Sequence, residues 1–358
     1  MAIYELKDVI DVKVGKKPNN NLDSYLDENS NFGYPFPKQS DINNYTLTNT
    51  KLFFDKNKIW MTILDDGKGV YFMPDAEVKL FKSNIPFCMS PSIWRLDTIN
   101  QNILNNRFIF YLLLGNKEKI KELSHGTTIK HISLKDFKKF KFFIPELDVQ
   151  NTIINIIEPF EKKLNNRIDF LDLVTKFFKT ISFNETNINF SDFFNLVKEK
   201  GDLFEEVIDL SSMKSDSISL SSFSMTKNFS TNIFCCKESD FLIGSIRPKL
   251  KKASFAWKDI NVLGTIYTLR IKEMNQRGVG LFNILNDSNF DYFIRNSKGT
   301  KMPILSKDDL LRCSIKKPLF DLRILNILFD YTKAINKSIY LLTKIIEKLV
   351  DYCIIESV

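Results

Sequence analysis

The sequence predicts a mixed α+β fold: two globular parts joined by two long antiparallel coiled-coil helices, with a pseudo-twofold internal repeat. Three observations predict it. First, apolar residues at Ile153, Ile154, Ile157, Phe160, Leu164, Ile168, Leu171, Val174 and Phe178 fall in steps of mostly three and four, drawing one stripe along a helix. At ~1.5 Å per residue, about 30 residues make a rod of roughly 45 Å, which needs a partner along its length. Second, from Leu322 the pattern returns, and a shift of 171 places Ile157, Phe160, Leu164, Ile168 and Leu171 on Leu328, Tyr331, Ile335, Ile339 and Leu342. Third, Gly126-Thr127, Ser133, Asp136 and Pro145 recur as Gly299-Thr300, Ser306, Asp309 and Pro318 at a shift of 173. Two unrelated amphipathic helices would explain the stripes but not these landmarks. A repeat of about half the chain means two copies of one unit, each a globular part followed by a long helix.

Composition sets the bounds. The 358 residues are 44% hydrophobic and 13% aromatic, enough for two folded domains with cores of their own. A formal charge of +8 favours a polyanionic partner, although richness in Asn, Lys, Ile and Phe is also what codon bias in an AT-rich genome produces. Cys88, Cys235, Cys236, Cys313 and Cys353 contain no C-x-x-C pair and are odd in number, so neither a zinc site nor a disulfide framework is expected. No basic segment followed by an apolar run opens the chain, and no stretch approaches the length of a membrane helix; a soluble cytoplasmic protein with no membrane partner is expected.

In chain order, residues 4–14 read as a short helix or strand ending in the basic turn Val14-Gly15-Lys16-Lys17-Pro18, and the polar segment to Thr50 reads as loop. Lys58–Leu64 and Val70–Met73 around Asp65-Asp66-Gly67-Lys68-Gly69 read as a hairpin, with further strands near 78–81 and 88–96. Residues 103–123 have helical spacing, and Ser133 is placed to cap a short helix to Phe140. In the second half, the Ser-rich stretch 211–224 reads as exposed loop, 240–246, 253–257 and 265–271 as strands, and 281–296 as helix.

The residues that could carry chemistry are basic loops. Arg247-Pro248-Lys249-Leu250-Lys251-Lys252 puts four cations in six residues just past a strand end that carries Ser245, where lysines suit phosphates and an arginine fork suits guanine. A plain solvated charge run is the competing reading. Thr127, Thr128, Lys130 and His131 beside Gly126, Thr300 and Lys301 beside Gly299, and Lys16 with Lys17 complete the candidate DNA contacts. Taken alone, each of these loops is equally an ordinary turn. His125 and His131, the only histidines, have no partners at metal-ligand spacing, so no metal site is expected. Asp75-Ala76-Glu77-Val78-Lys79 superficially resembles a metal-dependent nuclease core, but Asp75 is too near Glu77 to sit on an adjacent strand; Asp66, better spaced, makes Asp66, Glu77 and Lys79 the rival signal. There is no G-x-G-x-x-G, no Walker loop and no Asn/Asp-Pro-Pro-aromatic tetrapeptide, so the chain reads as lacking catalytic machinery of its own.

Together, these residues resemble the specificity subunits of type I restriction-modification systems, over nearly the whole chain. The resemblance rests on Gly126-Thr127-Thr128-Ile129-Lys130-His131-Ile132-Ser133, on Pro145-Glu146-Leu147-Asp148-Val149-Gln150 leading into the rod, and on their second copies from Gly299 and Pro318. Arg323 stands where that family usually has Gln, and residues 58–96 match none of its motifs. The resemblance implies target-recognition domains at 1–147 and 184–318, helices at 148–183 and 319–358, and a split double-stranded DNA site whose gap the helices set. It further implies two methyltransferase subunits docked on the helices and restriction/translocase subunits beyond them, with S-adenosylmethionine, ATP and magnesium held by those partners and no cofactor in this chain. A two-headed scaffold that binds only proteins is the third reading.

Overall fold

The computed structural model describes residues 2–16, 26–27, 34–37, 42–43, 46–47, 53–54, 64–74, 78–83, 85–126, 131–200, 204–220, 223–229 and 232–355. Lys17, Thr127, Thr128, Lys130, Glu77 and most of the expected strand Lys58–Leu64 lie outside them. The chain forms two compact units: Met1–Glu161 with Thr343–Val358, and Lys162–Leu342. Both long helices, Leu147–Thr180 and Leu322–Ile355, contribute to each unit.

In the first unit, residues 4–14 resolve into a strand, one helical turn and a second strand. Strand Ala2–Glu5 pairs antiparallel with Lys141–Ile144, immediately ahead of the first long helix. Strand Ile10–Val14 buries Ile10 and Val12 on alternate positions and edges a sheet ordered Ile10–Val14, Trp94–Thr98, Val70–Met73, Lys79–Lys82, Thr46–Leu47, Ile42–Asn43. Val70–Met73 is therefore central, paired with Lys79–Lys82 and Trp94–Thr98, while Leu64–Asp65 pairs with Phe87–Cys88. This corrects the expected hairpin: Val70–Met73 is buried on both faces, so no alternation pointed to its true neighbours. The expected loop before Thr50 also contains strands, but two-residue ones such as Ile42–Asn43 and Thr46–Leu47, too short to show a period. Tyr71 stacks on Phe81 at 5.0 Å and Phe72 on Phe137 at 4.5 Å, tying the sheet to the short helix Leu134–Lys139.

The second unit uses the same order of elements. Strand Phe183–Asn189 pairs antiparallel with Ser314–Pro318, ahead of the second long helix. A four-stranded sheet runs Phe194–Val197, Ile266–Ile271, Phe241–Gly244, Ala253–Phe255, matching strand for strand the first four of the other unit's sheet. A five-stranded sheet adds Glu199–Lys200, Ile233–Cys236, Ile260–Leu263, Glu206–Ile208 and Ser224–Met225. The expected helix at 281–296 is two, Arg277–Leu285 and Asp287–Asn296, separated by the cap residue Asn286.

The Ser-rich stretch is not an exposed loop. Ser212, Met213, Ser217, Ile218, Ser219 and Leu220 are all buried. Ser217 Oγ donates to Asp172 at 2.7 Å, Ile218 N to Thr175 Oγ1 at 3.2 Å and Leu220 N to Asn336 Oδ1 at 3.1 Å. The backbone of a buried irregular segment must find partners, and polar groups on the helices supply them. Thr332 and Asn336 accordingly share the buried stripe of the second helix with Leu325, Phe329, Ile339 and Leu342. Hydrophobic spacing alone could not see them. Leu328 and Ile335 are partly buried, and Tyr331, 52% exposed, meets Phe170 edge-on at 5.3 Å. On the first helix Ile157, Leu164, Ile168 and Leu171 are buried and Phe160 partly so.

Gly278 fixes how closely the helix Arg277–Leu285 approaches the second rod. A Cβ there would lie 2.4 Å from the Leu325 carbonyl carbon, and Gly278 N donates to Asn326 Oδ1 at 2.8 Å. Gly278→Ala is expected to destabilise the chain by about 1–3 kcal/mol through overpacking, read as a lowered urea midpoint with an unchanged slope.

Candidate nucleic-acid interface

Two basic loops of the second unit are laced together. The first turns between strands Phe241–Gly244 and Ala253–Phe255 as a single 3-10 turn, Pro248–Leu250, flanked by Arg247 at φ 51° and Lys251 at φ 47°. The second is closed by Lys298 N to Ile304 O and Ile304 N to Lys298 O, both 2.9 Å, with Gly299 at φ 108°. That left-handed backbone is why glycine precedes the threonine. Arg247 N donates to Pro303 O at 2.7 Å and Leu305 N to Ser245 O at 2.9 Å, so the two motifs form one surface. Arg247, Lys249, Lys298, Thr300 and Lys301 are exposed on it, beside Met302 and Ile304, which are about half exposed. Cations interleaved with apolar groups suit phosphates, sugars and base methyls.

Three of the expected contacts are bonded within the protein. Ser245 is buried and its Oγ donates to Thr265 O at 2.8 Å. Lys251 Nζ binds Asp287 Oδ1 at 2.6 Å, and Lys252 Nζ donates to Leu210 O. A strand end and a hairpin turn need such anchors, which a charge count cannot distinguish from exposed cations. Lys298 was not singled out, because it precedes the Gly-Thr pair rather than following it.

The first unit repeats the lacing. Ile132 N donates to Pro74 O at 3.0 Å, the counterpart of Leu305 N to Ser245 O, which makes the turn after Val70–Met73 the equivalent of the Arg247 turn. Gly126, like Gly299, has a left-handed backbone at φ 120°. His125 pairs across the strand from His131; His125 Nε2 lies 3.6 Å from Asp136, and His131 is exposed, edge-on to Trp94 at 6.5 Å. Lys16 is exposed next to Gly15, whose N donates to Ile93 O at 3.0 Å. After each loop a serine caps a short helix: Ser133 accepts from Asp136 N and Ser306 from Asp309 N, each at 3.1 Å. The repeated Ser and Asp landmarks are these caps.

Each unit also grips its stretch of rod in the same way. Arg107 pairs with Glu158, with Nε to Oε1 at 2.8 Å, and Arg277 pairs with Asp330, with Nε to Oδ1 at 2.9 Å. In the first unit, buried Gln150 donates to Ile103 O and Pro145 O at 2.8 Å and accepts from Asn105 N. Arg323, at the matching place, is exposed and pairs with Asp321. Asn326, one turn on, takes over that role by bonding Gly278 N and Asn275 O.

The nuclease residues are placed only in part. Asp66 Oδ1 accepts from Arg95 at 2.6 Å and from Lys68 N at 3.0 Å, which hold its carboxyl below the usual range. Lys79 lies in a strand opposite Met73, and among the described residues no three His, Cys, Asp or Glu side chains are grouped to hold a metal.

Comparison with known proteins shows what the chain is similar to. Residues 1–169 match the family model for the type I restriction modification DNA specificity domain. The chain is 27% identical over 159 residues to a Haemophilus influenzae protein named as a type I restriction enzyme specificity subunit, a match covering 44% of this chain and 34% of that protein. It is 27% identical over 133 residues to the type I restriction enzyme MjaVIII specificity subunit of Methanocaldococcus jannaschii, covering 36% of this chain and 29% of that one. These matches span about a third of the relatives' lengths. The crystal structure of the type I restriction-modification S subunit from M. genitalium aligns at a TM-score of 0.48 and 15% identity, covering 99% of this chain and 96% of that chain. The resemblance read from the motifs is confirmed. No helix among the described residues is long and apolar enough to cross a membrane.

Proposed function

We propose that the chain is the non-catalytic DNA sequence-specificity subunit of a type I restriction-modification complex, reading a bipartite site with two recognition domains. The observation that carries this reading is the loop-to-loop bond found in both units, Ile132 to Pro74 and Leu305 to Ser245, each ahead of a long helix. Two similar heads ask for two half-sites, and the paired long helices are the antiparallel spacer that sets the gap. Apolar rod residues left exposed, such as Leu173 at 63% and Ile327 at 65%, supply surface for two methyltransferase subunits. Restriction/translocase subunits complete the complex, with S-adenosylmethionine, ATP and magnesium on the partners and the whole assembly in the cytoplasm.

The contact surface is tested by salt dependence. Lys301→Ala is expected to lower the slope of log affinity against log salt by about one on duplex DNA, equally for all sequences. Titrations between low and moderate salt measure it, and an unchanged slope would remove Lys301 from the interface.

A further inference from the structure

The turn Arg247–Lys251 is held in a backbone that its residues disfavour. Arg247, Lys251 and neighbouring Asp216 all have left-handed φ, at 51°, 47° and 59°, and none is glycine. Such residues persist only where the surroundings over-determine them, and clusters of them mark functional sites. Here the surroundings form a closed ring. Lys251 Nζ binds Asp287 Oδ1 at 2.6 Å, and Asp287 Oδ1 also takes Lys179 Nζ at 3.2 Å. Lys179 binds the Asp216 carboxylate, and Asp216 N returns to Lys251 O at 3.2 Å. Lys179 belongs to the first long helix and Asp287 starts the helix Asp287–Asn296, so the ring ties the turn to two rigid elements. Burial alone would raise the Asp287 carboxyl, but Lys251 and Lys179 outweigh it and hold it below its ordinary value.

We infer that Asp287 is a positioning residue for sequence reading: through Lys251 it fixes the left-handed turn that presents Arg247. This rests on the proposed DNA-reading function. Arg247 is exposed at the start of the turn, and its backbone is pinned on the other side by Pro303 O. A guanidinium fork discriminates a base only when it is aimed, so loosening the turn degrades discrimination while leaving charge attraction intact.

The test is selection of the full chain on random duplex DNA, with salt titrations, for the unaltered protein, Asp287→Asn and Lys251→Gly. Asp287→Asn removes no cation, so its salt slope should not fall, while enrichment of one half of the selected sequence should drop on the order of tenfold. Lys251→Gly should give the same loss of preference without loss of fold, because glycine accepts the left-handed backbone; it decides the matter if Asp287→Asn fails to fold. Unchanged preference in folded Asp287→Asn overturns the inference. So does a Lys251→Gly variant that loses about one unit of salt slope but keeps its preference, since Lys251 would then be a phosphate contact. An unaltered chain that selects nothing would instead overturn the proposed function.

Discussion

Asp172→Ala is expected to destabilise the chain by about 3–5 kcal/mol, because it strands a buried cation. The Lys214 ammonium, its side chain 5% exposed, binds Asp172 Oδ2 at 2.5 Å, and Ser217 Oγ binds the other carboxylate oxygen at 2.7 Å. Removing the carboxylate leaves the lysine unpaired and loosens the Ser-rich segment from the first rod. Urea denaturation of the full chain measures the loss. The double variant Asp172→Leu with Lys214→Met should recover most of it, since an apolar pair of similar volume is often neutral where a broken ion pair is not. A single variant within about 0.5 kcal/mol of the unaltered chain, the range of ordinary surface substitutions, would mean that the pair is solvated and that the segment is held by other contacts.

Phe329→Ala is expected to cost about 3–5 kcal/mol through the cavity it leaves. Phe329 is fully buried in the second rod, with its ring 4.7 Å from Phe255 and 5.6 Å from Phe241, both on strands of the second unit's main sheet. Those strands flank the Arg247 turn, so the substitution couples rod packing to that turn. Thermal and urea unfolding give the magnitude; Phe329→Leu, which keeps most of the volume, should recover more than half of it. Equal losses for Leu and Ala would contradict a packing role.

What was legible in the sequence follows from what periodicity records. The rods were legible because one stripe of apolar residues repeats over 34 residues in each helix. The loop landmarks were legible because a left-handed backbone demands Gly126 and Gly299, and a helix start favours Ser133 and Ser306. The strand order of the first unit was not, since Val70–Met73 is buried on both faces and its neighbours come from distant segments. Nor was the Ser-rich segment, whose burial depends on Asp172 and Thr175, 45 and 43 residues before their partners, and on Asn336, 116 residues after its own. In the candidate interface, composition located the basic turn but could not separate exposed Arg247 from Lys251 and Lys252, which are occupied by Asp287 and Leu210 O. That division needs the fold.

The most direct measurement is sequencing of random duplex DNA retained by the full chain together with the proposed methyltransferase partners, before and after inserting one heptad in each rod. Two short motifs at a fixed gap are expected, with the gap lengthened by about three base pairs after insertion, since ~10 Å of helix spans that much duplex. A single motif, or a gap that ignores the insertion, would contradict a bipartite reader spaced by its helices.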